Sequence, residues 1–462
     1  MTEPREAETQ AATEDGFQLS QQDLDAIGKA IDADDGPALD ALLDPVHPAD
    51  IADLIEQLPP ARRREFLQLY SGEIDGEILS EIDESVRDKV IEQLPREVLA
   101  EAVREMDSDD VVDLVEDMDA PEREEILSAL DESDRAAVEQ SLTYPEYSAG
   151  RLMQSEVVTA PEHWTVGETI DFLRREEWLP DQFYHVILVD PRRHPVGYVT
   201  LGRLLASRRV VPLRDITEDS FRTISVMQDE GDVAHAFNKY HLISAPVVDE
   251  HDRLVGVITI DDAMSVLDEE HEEDILRLAG VGDESAITDT VIETVRQRVP
   301  WLAVNIVTAL VAASVIALFE GAIARLVALA VLMPIVASMG GNAGTQTLTV
   351  AVRGLATKSL NRANTMRIVR REMAVGLVNG VLFGLGMGAV TYWWFGDPKL
   401  SMVIGMAMIV NLSAAALGGI LIPLGLEKMG ADPALASGTF VTTVTDVVGF
   451  FTFLGLASVI LL

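Results

Sequence analysis

Thr439, Thr442, Thr443 and Asp446 follow one another at i, i+3, i+4 and i+7, and Gly449 continues the series. On a helix these positions share one face. The stretch that holds them, 433–462, has Asp446 as its only charge. Asp446 lies about 20 Å along the axis from Pro433, at about 1.5 Å per residue. At that depth in a bilayer a carboxylate costs about 2.5–3.5 kcal/mol. No long apolar stretch of the chain contains a Lys, Arg or His to pair with it, and every His precedes residue 272. Two chemistries fit: a protonated Asp bonded to a neighbouring helix, or a carboxylate that meets a cation or water. The oxygen-only inventory suits Mg, Ca or Mn rather than Zn or Cu. Mg²⁺ gives up its waters reluctantly, so one carboxylate gripping a hydrated ion is sound chemistry. With no Cys in the chain, thiolate metal sites and disulfides are excluded.

A second polar stripe, Asn342, Thr345, Gln346 and Thr349, interrupts the apolar run 326–352 at the same spacing, downstream of Pro334. Small residues around it (Gly340, Gly341, Ala343, Gly344) let helices approach closely, and its amides either bond between helices or line a path. Further acids cluster outside the apolar runs. Asp109 and Asp113 lie one helical turn apart with Asp110 beside them. Asp261, Asp262, Asp268, Glu269, Glu270, Glu272, Glu273 and Asp274 form a dense run just upstream of the first apolar stretch. Like charges one turn apart repel. A divalent cation would relieve that repulsion; solvation, or a helix dipole favouring acids at its N-terminus, accounts for single ones.

The elements that position these residues fall into two halves. Residues 301–462 hold 6 acids and 9 bases, whereas 1–300 hold 71 acids and 26 bases. A net charge of −42 therefore coexists with a mean hydropathy of +0.17. A single soluble globule is excluded, as is a nucleic-acid binder working through bulk charge. The acid excess, with 6 Lys against 29 Arg, also fits a salt-adapted surface.

The apolar runs 301–319, 326–352, 373–396, 400–426 and 433–462 each reach the length that spans a bilayer, which predicts five transmembrane helices. Arg353, Lys358, Arg362, Arg367, Arg370 and Arg371 lie between the second and third; Arg325 and Lys399 alone lie on the opposite side. The positive-inside rule puts the N-terminal half in the cytoplasm and the C-terminus outside, in a multi-pass protein of the cell (inner) membrane. An odd number of helices forbids an internal two-fold repeat, and a homodimer would turn two Asp446 carboxylates toward one axis.

The acidic half divides further. An acidic tail (1–16), expected to be disordered, precedes a helical region (17–143) that reads as a solenoid: Ile55-Glu-Gln-Leu-Pro59 recurs as Ile91-Glu-Gln-Leu-Pro95, and residues 50–56 match 110–116 at an offset of 60. Two α/β modules follow, 144–212 and 213–275, each with a helix, a strand ending in Asp, a turn, and a strand reading Val-Gly-x-Val/Ile-Thr. A linker helix (276–299) leads into the membrane region (300–462).

The order of these parts resembles the MgtE family of magnesium transporters: an acidic helical N domain, tandem CBS modules, a linker or "plug" helix and five membrane helices. Gly340-Gly-Asn-Ala-Gly-Thr-Gln346 and Thr442-Thr-Val-Thr-Asp446-Val-Val-Gly449-Phe450 are similar to that family's motifs. The resemblance implies a homodimeric, Mg²⁺-gated Mg²⁺ channel in the lipid bilayer. Asp446 is then the pore residue and Asn342, Gln346, Thr439, Thr442 and Thr443 are its lining. It implies cytoplasmic Mg²⁺ sensors at Asp262, Glu270, Glu273 and Asp274, with Asp109 and Asp113 as their partners in the helical domain. Ser265 and His241 depart from the family's usual Asp. CBS modules also take adenine nucleotides; Gly256-Val-Ile-Thr259-Ile-Asp-Asp262 resembles the ribose-phosphate motif, whereas Arg203 replaces the Asp in the first module. ATP or another adenine nucleotide is expected at the second module at most, through Thr259 and Asp262. Transport of another divalent ion such as Co²⁺ or Mn²⁺, and a CBS nucleotide sensor without transport, are the alternatives. Neither the resemblance nor any phosphate-binding loop points to an enzyme.

Overall fold

The protein is described from a computed structural model at residues 19–70, 74–116, 118–176, 179–180, 182–218, 221–281, 291–360 and 363–462. The expected tail 1–16 lies outside the described residues. The chain divides into two units, 1–267 and 268–462.

In the first unit, ten short helices lie among the described residues: α1 Gln21–Asp32, α2 Gly36–Leu43, α3 Pro48–Gln57, α4 Pro60–Tyr70, α5 Gly76–Ser80, α6 Glu84–Ile91, α7 Arg96–Glu105, α8 Ser108–Glu116, α9 Ala120–Leu127 and α10 Glu132–Ser141. Their lengths follow from punctuation: side chains of Ser20, Asp35, His47 and Asp75 accept N–H bonds at helix starts, and Pro stands at the first or second position of several. Leu39, Ile55, Phe66, Leu79, Val90 and Val115 sit in one continuous apolar core. The 60-residue repeat extends beyond the matching segments. Arg63 on α4 donates to the carbonyls of Ile55, Glu56 and Leu58 at 2.8, 3.0 and 3.2 Å. Sixty residues on, Arg123 on α9 donates to those of Val115, Glu116 and Met118 at 2.9, 2.7 and 3.1 Å. Each guanidinium satisfies the carbonyls that the end of the preceding helix leaves without partners.

Two three-stranded sheets follow: β1 Thr159–Pro161, β2 His185–Val189 and β3 Pro195–Thr200, then β4 Ile224–Ser225, β5 Ser244–Val248 and β6 Leu254–Thr259. In both, the first strand pairs parallel to the second and the second antiparallel to the third. Helices α11 Val166–Leu173, α12 Leu201–Ala206 and α13 Glu230–Tyr240 complete the modules. Asp190 and Asp249 set the two equivalent hairpins: each carboxylate accepts two backbone N–H groups of the turn, at 2.7–2.9 Å. The expected duplication is thus present down to its turns.

Helix α14 runs Ile260–Ala279, so the acidic run belongs to a helix that starts directly after β6. Of the expected linker helix over 276–299, residues 276–279 form the end of α14 and 291–299 the start of the next described helix. The physical stop is Gly280, at φ 71°, where Val281 N–H bonds to the Leu276 carbonyl in a Schellman turn. Residues 282–290 lie outside the described residues, and 291–299 already belong to the first membrane helix.

The second unit holds α15 Val291–Ala317, a short α16 Glu320–Arg325, α17 Ala328–Ala356, α18 Thr365–Phe395, α19 Pro398–Lys428 and α20 Pro433–Ile460. Five of these are long and apolar enough to cross a membrane. α15 continues through Pro300 and α17 through Pro334. α18 begins eight residues before the apolar run, so Arg367, Arg370 and Arg371 stand on its first turns.

Glycines set how closely α18 and α19 pack. A Cβ at Gly376, Gly380 or Gly384 would lie 2.8, 2.9 and 2.7 Å from backbone atoms of Leu412, Ile409 and Gly405, so only Gly fits this four-residue stripe. On the other side of α19, the fully buried Asn411 donates to the Val336 carbonyl of α17 at 2.8 Å. Its amide fills the space a side chain would need at both Gly340 and Gly449. Gly449 therefore serves packing on another face rather than continuing the stripe of Asp446.

Candidate cation path and carboxylate junction

Within the second unit a cavity of about 260 Å³ is lined by Trp301, Asn305, Thr308 and Ala309 of α15, Gly438, Thr439, Thr442, Thr443 and Asp446 of α20, and Leu278 and Ala279 of α14. The helical period of α20 puts the four predicted residues on one wall. Each threonine hydroxyl of this lining donates to a protein oxygen. Thr439 Oγ1 donates to Asn305 Oδ1 at 2.8 Å, Thr442 Oγ1 to the Gly438 carbonyl at 2.9 Å, Thr443 Oγ1 to the Thr439 carbonyl at 2.7 Å, and Thr308 Oγ1 to the Asn305 carbonyl at 2.9 Å. Each hydroxyl has one proton and two lone pairs. With every proton given to a protein oxygen, the threonines present acceptors alone, and Asp446 adds a carboxylate. The α20 side of the cavity therefore offers acceptors, which suits the outward-pointing protons of a hydrated cation.

The cavity is bounded on one side by the end of α14. A side chain at Gly280 would overlap the Trp301 indole, and the Leu278 carbonyl faces Gly438. Asn342 and Gln346 do not join this cavity. They lie on the exposed face of α17, as do Thr345 and Thr349, whose hydroxyls bond to their own helix.

In the first unit, α8 brings Asp109 against Asp262, which lies three residues past the end of β6. At the start of α14, Thr259 Oγ1 donates to Asp262 Oδ2 at 2.5 Å. Asp262 is also hydrogen-bonded to Asp109. Burial, followed by the charges of Asp262, Asp110, Asp107 and Glu156, pushes the Asp109 carboxyl well above the usual carboxylate range. Burial also raises Asp262 and takes Asp110 up to about 7, with Asp262 next in effect on Asp110. Ser108 Oγ ties the two elements by donating to Glu156 at 2.8 Å and accepting the Ser155 N–H at 2.7 Å; Arg151 pairs with Glu116 at 3.0 Å. Sequence reasoning named Asp109 and Asp262 but missed Asp107 and Glu156, which only folding brings together. It noted Asp110 as a mere neighbour of Asp109. Asp113 points elsewhere: its carboxylate pairs with the buried Arg87 guanidinium at 2.5 Å.

The predicted residues of the second half of α14 sit differently. Arg277 bridges Glu273 and Asp432, both at 2.8 Å, and Asp432 also caps α20. Burial, with the charge of Asp432 second, raises Asp274 above its ordinary range. Glu270 lies on the same helix, seven residues before Arg277. Asp432 and Arg277 were not foreseen. Among the described residues, no three His, Asp or Glu side chains are grouped as a chelated metal ion requires.

Residues 46–147 match the MgtE intracellular N domain, 149–209 and 213–269 match CBS domains, and 333–456 match the MgtE divalent cation transporter family. The magnesium transporter MgtE of Enterococcus faecalis is 34% identical over 321 residues, covering 70% of this chain and 71% of that protein. The chain belongs to the MgtE family. The MgtE magnesium transporter of Thermus thermophilus is 33% identical over 71% of this chain and 73% of its own length, and that of Bacillus subtilis 30% identical over 70% and 71%. Among solved structures, the cytosolic domain of the Mg²⁺ channel MgtE in complex with ATP aligns with 52% of this chain and 98% of its own, at 29% identity and a TM-score of 0.48. As an MgtE protein, the chain is a multi-pass membrane protein with an N domain, paired CBS modules and five membrane helices, as its sequence predicted.

Proposed function

We propose that this MgtE protein is a Mg²⁺-selective, Mg²⁺-gated channel that admits Mg²⁺ down its electrochemical gradient. The single observation that carries the reading is Asp446 lining a cavity whose threonine hydroxyls all give their protons to protein oxygens. Magnesium is also the ion in the names of its relatives. Each 100 mV, negative inside, favours entry of a divalent cation by about 4.6 kcal/mol, so no ATP hydrolysis is needed. The arginines at the start of α18 favour an orientation with the acidic half in the cytoplasm. A homodimer accounts for the exposed Asn342 and Gln346: amides on a membrane helix belong against a second copy or a water-filled path rather than lipid.

The junction of Asp109, Asp110 and Asp262 is the proposed Mg²⁺ sensor, with Glu273 and Asp274 of α14 as further sensing acids and Glu270 and Asp113 as weaker candidates. A cation there replaces protons on buried carboxyls and favours the docked, closed state; only such differential binding shifts a gate. Thr259 and Asp262 also form the motif for an adenine nucleotide such as ATP at the second CBS module, but their mutual hydrogen bond and the contact with Asp109 favour the cation role.

The test is flux into proteoliposomes holding the full chain. Asp446→Ala should lower Mg²⁺ entry by about 100-fold or more, the scale of losing about 3 kcal/mol of ion stabilisation, while the protein remains a dimer by size exclusion. Undiminished flux refutes the pore assignment. Co²⁺ or Mn²⁺ carried as fast as Mg²⁺ would replace the selectivity part alone.

A further inference from the structure

We propose that Asn305 of α15 is a specificity-determining residue of the cation path. Only one residue of this helix's 18-residue apolar window is buried (6%), which by itself describes a lipid-facing wrapper. Its polar residues contradict that role. Trp301, Asn305, Thr308 and Ala309 stand at i−4, i, i+3 and i+4, one face, and this is the face that lines the cavity opposite Asp446.

The chemistry turns on a proton. Thr442, Thr443 and Thr308 give their hydroxyl protons to backbone carbonyls of their own helices. Thr439 alone among the cavity threonines gives its proton to a side chain on a different helix, Asn305 Oδ1, 134 residues away in sequence. Asn305 thereby holds the Thr439 hydroxyl with its lone pairs toward the cavity. Without that acceptor the hydroxyl is free to turn its proton inward, against the water shell of a cation. The amide thus fixes the one hydroxyl of the α20 wall that is not tied to its own helix. A strongly hydrated ion such as Mg²⁺, whose recognition runs through its water protons, depends on this orientation more than Ca²⁺, which sheds water readily.

The inference rests on Asp446 facing the transported ion, and the experiment separates the two. Full-length protein in proteoliposomes is assayed for Mg²⁺ and Ca²⁺ entry over a range of external concentrations, as Asn305→Leu, Asn305→Asp, Thr439→Val, the double variant Asn305→Leu/Thr439→Val, and Asp446→Ala. Asn305→Leu should raise the Mg²⁺ concentration for half-maximal entry by roughly 5- to 10-fold, the usual scale for one lost acceptor, and narrow the preference for Mg²⁺ over Ca²⁺. Thr439→Val should do the same, and the double variant should add less than about two-fold to either, because the two groups act as one unit. Asn305→Asp keeps an oxygen in place and should restore half-saturation to the wild-type value or below. If Asn305→Leu lowers only maximal entry or dimer abundance, with half-saturation and ion preference unchanged, Asn305 is a packing residue and the inference falls. If Asn305→Leu does not fold, Thr439→Val and Asn305→Asp carry the same comparison. Retained flux in Asp446→Ala would remove the cavity from the path altogether, a different result from Asp446→Ala dead and Asn305→Leu unaltered.

Discussion

Asp110 reports on what it costs to close the carboxylate junction without a cation. Its carboxyl moves from an ordinary 3.8 to about 7, chiefly through burial and then through Asp262. At about 1.4 kcal/mol per pH unit, that displacement is worth about 4 kcal/mol between the two protonation states. The sign follows from proton uptake. Between pH 3.8 and about 7 the docked form binds more protons than the open form, so docking weakens as pH rises through that window. The contribution is fully present below 3.8 and fully lost above about 7. Asp110→Asn removes the ionisation. In the absence of divalent ions, the variant should be more protected than wild type by up to about 4 kcal/mol at pH 8 and by only about 1.5 kcal/mol at pH 5. The assay is amide hydrogen exchange of α8 in the full-length protein with a chelator, corrected for the intrinsic pH dependence of exchange. Mg²⁺ should raise wild-type protection at pH 8 and raise that of Asp110→Asn less. Parallel pH profiles for the two proteins would refute the reasoning, since they would mean that Asp110 ionises without opposing the docked state.

The glycine stripe of α18 makes a second prediction. Gly384→Val places branched carbons where the Gly405 carbonyl stands 2.7 Å from a Cβ, and should cost about 3 kcal/mol or more, read as a fall in thermal midpoint and in membrane yield. Arg63→Met strands three carbonyls around a buried site and should destabilise the N domain by about 3 kcal/mol in chemical denaturation; Arg123→Met, at the equivalent and more exposed position, should cost less.

Hydropathy made the five spans legible, because each must satisfy its backbone internally and hide its polar groups. Turn chemistry made the paired modules legible, since Asp190 and Asp249 bracket their hairpins at matching places. Asp446 was legible for the same reason it is costly. Asn305 was not: it is one amide in a long apolar helix, with its partner on another helix. Asp107 and Glu156 were hidden for a related reason, as nothing near them in sequence marks them apart from an acid-rich background, while the partner of Asp432, Arg277, lies 155 residues away. The paired arginines could have been found by carrying the offset of 60 a few residues further. Asn342 and Gln346 were correctly seen as a stripe, but the sequence does not say which neighbour a stripe faces, and within one chain it faces outward.

The threonine wall also bears on speed. A cage of several fixed charges would hold a divalent ion in a deep well, and residence there would be long. Here each chain sets one fixed charge among neutral hydroxyls whose protons are already committed before an ion arrives. Little reorganisation is required on entry and little attraction has to be overcome on exit. Such a site favours turnover over retention, which is what separates a conduit from a store.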